Sequence, residues 1–162
     1  ERALEGSNAL LFAYGQTGSG KTFSMYGAEG GKNPSKLDGA VPSICAELFR
    51  RKQELEKRKD VQLDIEATLV EVSARGIVDL LGEPSEVGEL PVVKLVGSEV
   101  NGAKKESIHS SRGLTQLIER GMDRRATQAN YNSQNANSSR SHAFLTLLLT
   151  RHTMKGLVIQ AT

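Results

Sequence analysis

The chain has 162 residues, of which 38% are hydrophobic and 25% charged, and its formal net charge is +2. The length suits one domain with a single core, and the composition is typical of a soluble protein. Charges of both signs are interspersed, the longest apolar run, 143–149, is interrupted by Thr146, and no basic stretch precedes an apolar one at the N-terminus. Nucleic-acid binding, a membrane span of roughly 20 residues and a signal peptide are therefore not expected.

The first predicted strand and helix flank a glycine-rich turn. Residues 8–14 form an apolar run that ends at Gly15, as expected for a strand buried on both faces. A helix can begin at Gly20 and continue to about Met25, where further glycines and a proline predict a loop.

A second helix is predicted to open at Val41. Ile44, Leu48 and Leu55 recur roughly on one face of it, which predicts a buried side. The single cysteine, Cys45, falls at an apolar position of this helix. We interpret it as a small core residue in a reducing setting, because it has no partner for an internal disulfide.

The remaining elements are mostly strands. Apolar residues alternate with polar ones over 61–72, and shorter strands are predicted at 77–81, 90–96, 144–150 and 157–159. A helix capped by Ser110 or Ser111 is expected to fade near Arg125, and the polar segment 128–142 that follows would alone be a linker. Strands alternating with helices predict an α/β fold with a central mixed or mainly parallel sheet flanked by helices.

The glycine-rich turn fits the phosphate-binding loop pattern, with two glycines four residues apart followed by Lys and Thr. Its residues are Gly15, Gln16, Thr17, Gly18, Ser19, Gly20, Lys21 and Thr22. Such a loop turns tightly enough for its N–H groups to face phosphate oxygens, and the following helix adds the positive end of its dipole. Lys21 would reach the β- and γ-phosphates, and the Thr22 hydroxyl would bind Mg²⁺. The sequence therefore predicts a nucleoside triphosphate site and a P-loop NTPase-type central sheet flanked by helices.

The stretch 8–27 resembles the kinesin motor domain family closely, including the Gln-Thr within the phosphate loop. A second hallmark of that family is the first switch loop, an Asn followed two residues later by Ser-Ser-Arg-Ser-His. Here it is Asn135-Ala136-Asn137-Ser138-Ser139-Arg140-Ser141-His142. Myosins share this motif through Arg140 but continue differently. The resemblance covers most of 8–151 and implies a partial motor domain over 1–162, without the family's opening strand and second switch.

The resemblance also implies roles for the first switch. Asn135, Ser138, Ser139 and Arg140 become candidate catalytic residues. Ser139 would lie on the metal and γ-phosphate side together with Thr22, and Ser138 would contact the attacking water or the phosphate. Arg140 would pair with a glutamate of the second switch. ATP and Mg²⁺ are the implied cofactors, and catalysis in such sites depends on positioning and electrostatics.

Asp79 follows two apolar residues and is a weaker candidate for a metal-side aspartate, since its place matches a structural kinesin segment. Lys94, Lys104 and Lys105 lie where a subsidiary microtubule-contact loop occurs in the family. The alternative interpretation is that they are ordinary solvated lysines, and it is favoured. His142 is interpreted as a local hydrogen-bonding residue.

The favoured hypothesis is a microtubule-based motor ATPase of the cytoplasm and cytoskeleton, with the 162-residue chain alone inactive. Tubulin is the expected partner, no nucleic acid or membrane is expected, and oligomeric state would depend on flanking regions. One alternative is a kinesin-like adaptor that binds nucleotide and microtubules without motor activity. Another is an unrelated phosphate-loop NTPase, such as a GTPase or a small-molecule kinase, although no Asn-Lys-x-Asp guanine motif occurs.

Overall fold

The computed structural model describes residues 2–16, 18–27, 39–58, 60–97, 99–131, 141–153 and 158–161. After a 3-10 helix at Arg2–Glu5, its helices are α1 (Lys21–Tyr26), α2 (Ala40–Glu56) and α3 (Ser111–Tyr131). Its strands are β1 (Val61–Ser73), β2 (Gly76–Asp79), β3 (Val92–Val96), β4 (Glu99–Asn101), β5 (Glu106–Ser107), β6 (Ser141–Thr153) and β7 (Val158–Ala161). None of the helices in these ranges is both long enough and apolar enough to cross a membrane.

The strands form a seven-stranded sheet with the order β4-β3-β2-β1-β6-β7, and β5 pairs with β1. The pairs β1–β2, β2–β3, β3–β4 and β6–β7 are antiparallel. An α/β architecture is confirmed, but the sheet is more antiparallel than a mainly parallel arrangement would be. The physical reason is that β1 to β4 follow one another through turns and the loop 80–91, with no helical crossover between them.

Residues 1–66, 107–116 and 147–162 make up one compact unit. Its core includes Cys45 and Phe49 of α2 and the alternate β1 residues Val61, Leu63 and Ile65. The Glu56 carboxylate accepts a hydrogen bond from Leu63 N at 3.0 Å, and Lys52 Nζ donates to Leu63 O. The last turns of α2 are thereby fixed to the start of β1.

Residues 67–106 and 117–146 make up the second unit. Its buried side chains come from β1, from the turn after β2 and from α3; they are Ala67, Leu69, Val70, Leu80, Leu81, Leu90, Val93, Leu117 and Ile118. Leu80 N donates to Leu69 O at 2.9 Å, which continues the pairing of β1 beyond the end of β2. The alternating strand predicted over 61–72 is thus confirmed.

The prediction of a buried strand at 8–14 is wrong. These residues have no regular secondary structure, and Leu10 and Tyr14 are 81% and 95% exposed. An apolar run becomes a buried strand only when neighbouring strands accept its hydrogen bonds. Within the described residues, no strand of the sheet pairs with this segment.

The end of α3 also differs from expectation. Ser110 caps the helix as predicted, because its Oγ accepts the Gly113 N–H at 3.0 Å. The helix then continues to Tyr131 instead of fading near Arg125. Residues 126–131 include alanine and glutamine, which have good helix propensity, so the polarity of this segment does not end the helix.

Candidate nucleotide site

The glycine-rich turn has a backbone that only glycine adopts readily. Gly18 and Gly20 have φ values of 81° and 85°, in the left-handed region. Ser19 N donates to Gln16 O at 3.2 Å, which closes the turn before α1 begins at Lys21. Thr17, also predicted to contact nucleotide, lies outside the described residues.

Gly15 is required for a different reason, the close approach of its own loop. A Cβ at this position would lie 2.5 Å from Ser19 Oγ and 3.2 Å from Ser19 Cβ. A side chain at this position would force the Ser19 side chain to move. The first glycine of the motif therefore leaves room for Ser19 within the loop.

Lys21 folds back over the loop that precedes it. Its Nζ donates to Gly15 O and to Gln16 O, both at 2.7 Å. The ammonium group is therefore held at the concave side of the turn by two carbonyl oxygens. A third donor remains on the same nitrogen, and a phosphate oxygen is a stronger acceptor than a neutral carbonyl.

Thr22 follows Lys21 in the first turn of α1 and is exposed. The helix is short and ends at Gly27, whose N–H donates to Phe23 O. A Cβ at Gly39 would overlap the main chain of Met25, so the start of α2 lies directly against the end of α1. The Thr22 hydroxyl is thus exposed to a ligand at the start of α1, while the end of α1 packs against the start of α2.

These features fit a nucleoside triphosphate with its magnesium ion. The loop provides a tight turn, one positioned cation and a hydroxyl next to it, the groups that phosphate and Mg²⁺ require. The residues that would hold the phosphates are those of the turn and Lys21, and Thr22 would contribute the metal ligand.

The first switch cannot be placed beside this loop. Asn135, Ser138, Ser139 and Arg140 all lie outside the described residues. Of the motif, only Ser141 and His142 are described, at the start of β6.

Ser141 belongs to a polar cluster that the sequence did not reveal. Its hydroxyl donates to Glu71 Oε1 at 2.6 Å and accepts from Arg125 at 3.0 Å. Arg125 Nε in turn donates to Glu71 Oε1 at 2.8 Å. The three residues are far apart in the chain and no local spacing connects them, so only the fold brings them together. In the sequence, only the position of Ser141 next to Arg140 indicated that Ser141 could be functional.

Asp79 is a structural residue in this fold. Its carboxylate is 2% exposed and accepts Leu81 N at 2.9 Å and Lys104 N at 2.7 Å, one on each oxygen. One oxygen closes the turn after β2, and the other holds the main chain between β4 and β5. This geometry agrees with the structural interpretation of the aspartate over the metal-side one.

The lysines proposed as subsidiary contacts differ in environment. Lys104 Nζ lies 2.8 Å from Glu83 and 3.4 Å from Glu106. The hydrogen bond from Lys104 lowers the pKa of Glu83, and the same bond raises the pKa of Lys104. Lys94 and Lys105 are exposed. Lys104 therefore already has acidic partners within its own unit.

Comparison with known proteins identifies the family. The kinesin motor domain matches residues 1–158. The chain is 37% identical over 153 residues to kinesin-like protein unc-104 of Caenorhabditis elegans and 34% identical over 153 residues to kinesin-like protein KIF13A of Homo sapiens. The solved structure of a fast kinesin superimposes with a TM-score of 0.79 at 25% identity and covers 98% of this chain. The chain belongs to the kinesin motor domain family.

The match covers only part of each relative. The chain spans 9% of unc-104, 8% of human KIF13A and 44% of the solved kinesin chain, although it is itself matched over at least 93% of its length in all three comparisons. The chain therefore spans less than half the length of each of these three relatives.

Proposed function

We propose that this chain supplies the nucleotide-binding part of a microtubule-based motor ATPase. The observation that carries the proposal is the placement of the Lys21 ammonium inside the glycine-rich turn, 2.7 Å from both Gly15 O and Gln16 O. Family membership supports it independently, because the matching family is a motor domain. The solved fast kinesin was described for its ATPase mechanism and its interactions with microtubules.

Each residue of the turn has a task in this proposal. The backbone of 15–20 surrounds the β- and γ-phosphates of ATP, and Lys21 neutralises charge on them. Thr22 and Ser139 would hold Mg²⁺, which would supply further positive charge to the phosphates. No covalent intermediate is needed, because positioning and electrostatic stabilisation account for most of the catalysis in such sites.

The first switch completes the site. Ser138 orients the attacking water or contacts the γ-phosphate, and Asn135 helps to hold the loop in its nucleotide-bound form. Arg140 pairs with a glutamate of a second switch. Ordering and release of these residues would couple the presence of the γ-phosphate to the affinity of the motor for microtubules. The motor would work in the cytoplasm, on the cytoskeleton.

A binding measurement on a complete kinesin motor domain that carries this sequence tests the site. Lys21→Ala should weaken Mg-ATP affinity by roughly a hundredfold or more, since a charge-assisted contact to phosphate is lost. Lys57→Ala is the matched control: it removes the same charge from an exposed position after α2 and should leave affinity unchanged. Equal affinity for ATP in wild type and Lys21→Ala would overturn the site assignment.

The nucleotide-binding adaptor remains the second candidate, and hydrolysis separates it from the motor. An adaptor would bind Mg-ATP through the same loop but would show no phosphate release on addition of microtubules. An unrelated GTPase or small-molecule kinase would instead lack the kinesin motor domain match over 1–158.

A further inference from the structure

We propose that Glu71, Arg125 and Ser141 form a positioning cluster that fixes where the first switch rejoins the sheet, and thereby controls the rate of ATP hydrolysis rather than nucleotide affinity. This inference rests on the proposed function of the chain as part of a motor ATPase. The name positioning cluster refers below to these three side chains.

The three side chains close a ring of hydrogen bonds. Arg125 donates through Nε to Glu71 Oε1 at 2.8 Å and through a terminal nitrogen to Ser141 Oγ at 3.0 Å. The Ser141 hydroxyl then donates to the same Glu71 oxygen at 2.6 Å. Each group thus restrains the other two, and chains of this kind strengthen one another.

The ring also holds main chain. The nitrogen of Arg125 that reaches the Ser141 hydroxyl also donates to Ser141 O, at 3.2 Å. Both the side chain and the carbonyl of Ser141 are therefore tied to α3. A residue restrained at two such points has little freedom to rotate or shift along its strand.

The ring can act on the first switch because of where Ser141 lies in the chain. Ser141 is the first residue of β6 and directly follows Arg140. Consecutive Cα atoms are about 3.8 Å apart, so fixing Ser141 limits where Arg140 can lie. Arg125 lies in the last turns of α3, the helix that leads toward the same segment, and Glu71 anchors both partners to β1.

A polar ring is a costly way to hold a strand merely in place. The Arg125 and Glu71 side chains are only 19% and 17% exposed, so both ionised groups have lost much of their hydration. Apolar residues of similar size commonly stabilise a fold as well as such a pair does. What the ring provides is directionality. Its hydrogen bonds are all formed in one position of Ser141 and are lost when Ser141 shifts or rotates.

The neighbouring residue Arg124 provides a matched control. It also lies in α3 and is half-buried, but its guanidinium donates to Leu80 O at 3.1 Å and Gly82 O at 2.8 Å. These carbonyls belong to the turn after β2. Arg124 and Arg125 therefore anchor the same helix, and only Arg125 is tied to Ser141 in this way.

The test compares four variants of a complete kinesin motor domain carrying this sequence: Ser141→Ala, Ser141→Thr, Arg125→Lys and Arg124→Lys. For each variant, microtubule-stimulated kcat, the Kd for Mg-ATP and the melting temperature are measured. Ser141→Ala and Arg125→Lys should lower kcat on the order of tenfold and change Kd by less than about twofold, as expected for residues that orient a catalytic group. Ser141→Thr keeps the hydroxyl and should restore most of kcat. Arg124→Lys should lower the melting temperature only.

Unchanged kcat in Ser141→Ala would overturn the inference, and so would a kcat in Ser141→Thr as low as in Ser141→Ala. Equal losses of kcat in Arg124→Lys and Arg125→Lys would show that the cluster is only an anchor of α3, which also overturns it. Ser141→Ala removes a single oxygen, so it remains informative if Arg125→Lys does not fold. Lys21→Ala separates the two proposals: if it leaves turnover intact, the nucleotide site is wrong and this inference fails with it. If it abolishes turnover while Ser141→Ala does not lower kcat, only the positioning cluster is wrong.

Discussion

Gly121 of α3 and Leu69 of β1 lie so close that a Cβ on Gly121 would overlap Leu69 Cδ2. The added Cβ of residue 121 would also lie 3.4 Å from Leu69 Cγ and 3.6 Å from Leu80 Cβ. Leu69 and Leu80 are both completely buried. The absence of a side chain at Gly121 therefore sets the distance at which α3 packs on the sheet in the second unit.

Gly121→Ala should destabilise that unit even though alanine is the better helix former. Glycine in a helix interior costs about 1 kcal/mol relative to alanine, whereas forcing a methyl group into a filled core costs typically 1–3 kcal/mol. We expect a net loss of about 1 kcal/mol in the free energy of unfolding, measured by urea denaturation.

A double variant checks the cause of that loss. Leu69→Ala empties the space that the new methyl group would enter, so Gly121→Ala should cost less in the Leu69→Ala background than alone. A stabilised Gly121→Ala single variant, or strictly additive effects, would contradict the packing argument.

Removing the buried carboxylate of Asp79 should be among the more damaging polar changes in the second unit. Asp79→Ala leaves the N–H groups of Leu81 and Lys104 without their acceptor, and we expect a loss of about 2–4 kcal/mol in the free energy of unfolding. Asp79→Asn keeps one acceptor oxygen, so its free energy of unfolding should lie between those of wild type and Asp79→Ala. Asp60→Ala is the control. Asp60 is exposed and its contact with Arg58 is long, at 3.8 Å, so this variant should change the free energy of unfolding by less than about 0.5 kcal/mol. Similar effects at the two sites would show that the Asp79 hydrogen bonds contribute little.

Cys45 should be nearly inert while the chain is folded. Burial raises the pKa of its thiol from 9.0 to about 11, so at pH 8 the thiolate fraction falls about a hundredfold. Iodoacetamide should therefore label the native chain at least about a hundredfold more slowly than the urea-unfolded chain. The measurement is unambiguous because the chain contains one cysteine. Comparable labelling rates in the two states would mean that Cys45 is not in the core.

Local patterns predicted those parts of the fold whose partners are close in sequence. Alternation over 61–72 predicted β1 because every second side chain, such as Leu63 and Ile65, is buried. Ser110 was a recognisable cap because its hydroxyl serves Gly113 three residues later. The glycine spacing of the phosphate loop likewise reflects turns that are local, and Gly18 and Gly20 do adopt positive φ.

Features that depend on distant residues were not predictable from the same patterns. The run at 8–14 has the composition of a buried strand, but strand formation requires neighbours that composition does not specify. Glu71 and Arg125 are 54 positions apart and meet only through packing of α3 on β1. The four candidate residues of the first switch stay predictions, since they lie outside the described residues.

The exposed segment near the N-terminus should make the 162-residue chain self-associate. Leu10 and Phe12 are 81% and 73% exposed within a stretch that has no regular secondary structure, and such exposed apolar surface invites pairing with other chains. Sedimentation at micromolar concentration should show concentration-dependent association. Replacing both residues by serine should reduce it, whereas Val87→Ser, at an exposed valine in a turn, should not. A monomeric wild-type chain with a cooperative melt would contradict this expectation.

Microtubule-stimulated phosphate release tests the central claim most directly. A complete kinesin motor domain carrying this sequence is assayed with Mg-ATP, with and without microtubules, beside its Lys21→Ala and Lys57→Ala variants. We predict that microtubules accelerate phosphate release in wild type and in Lys57→Ala, and that Lys21→Ala abolishes it because the ammonium group held by Gly15 O and Gln16 O is lost. Stimulated phosphate release that persists undiminished in Lys21→Ala, or its absence from the wild-type domain, would contradict the account.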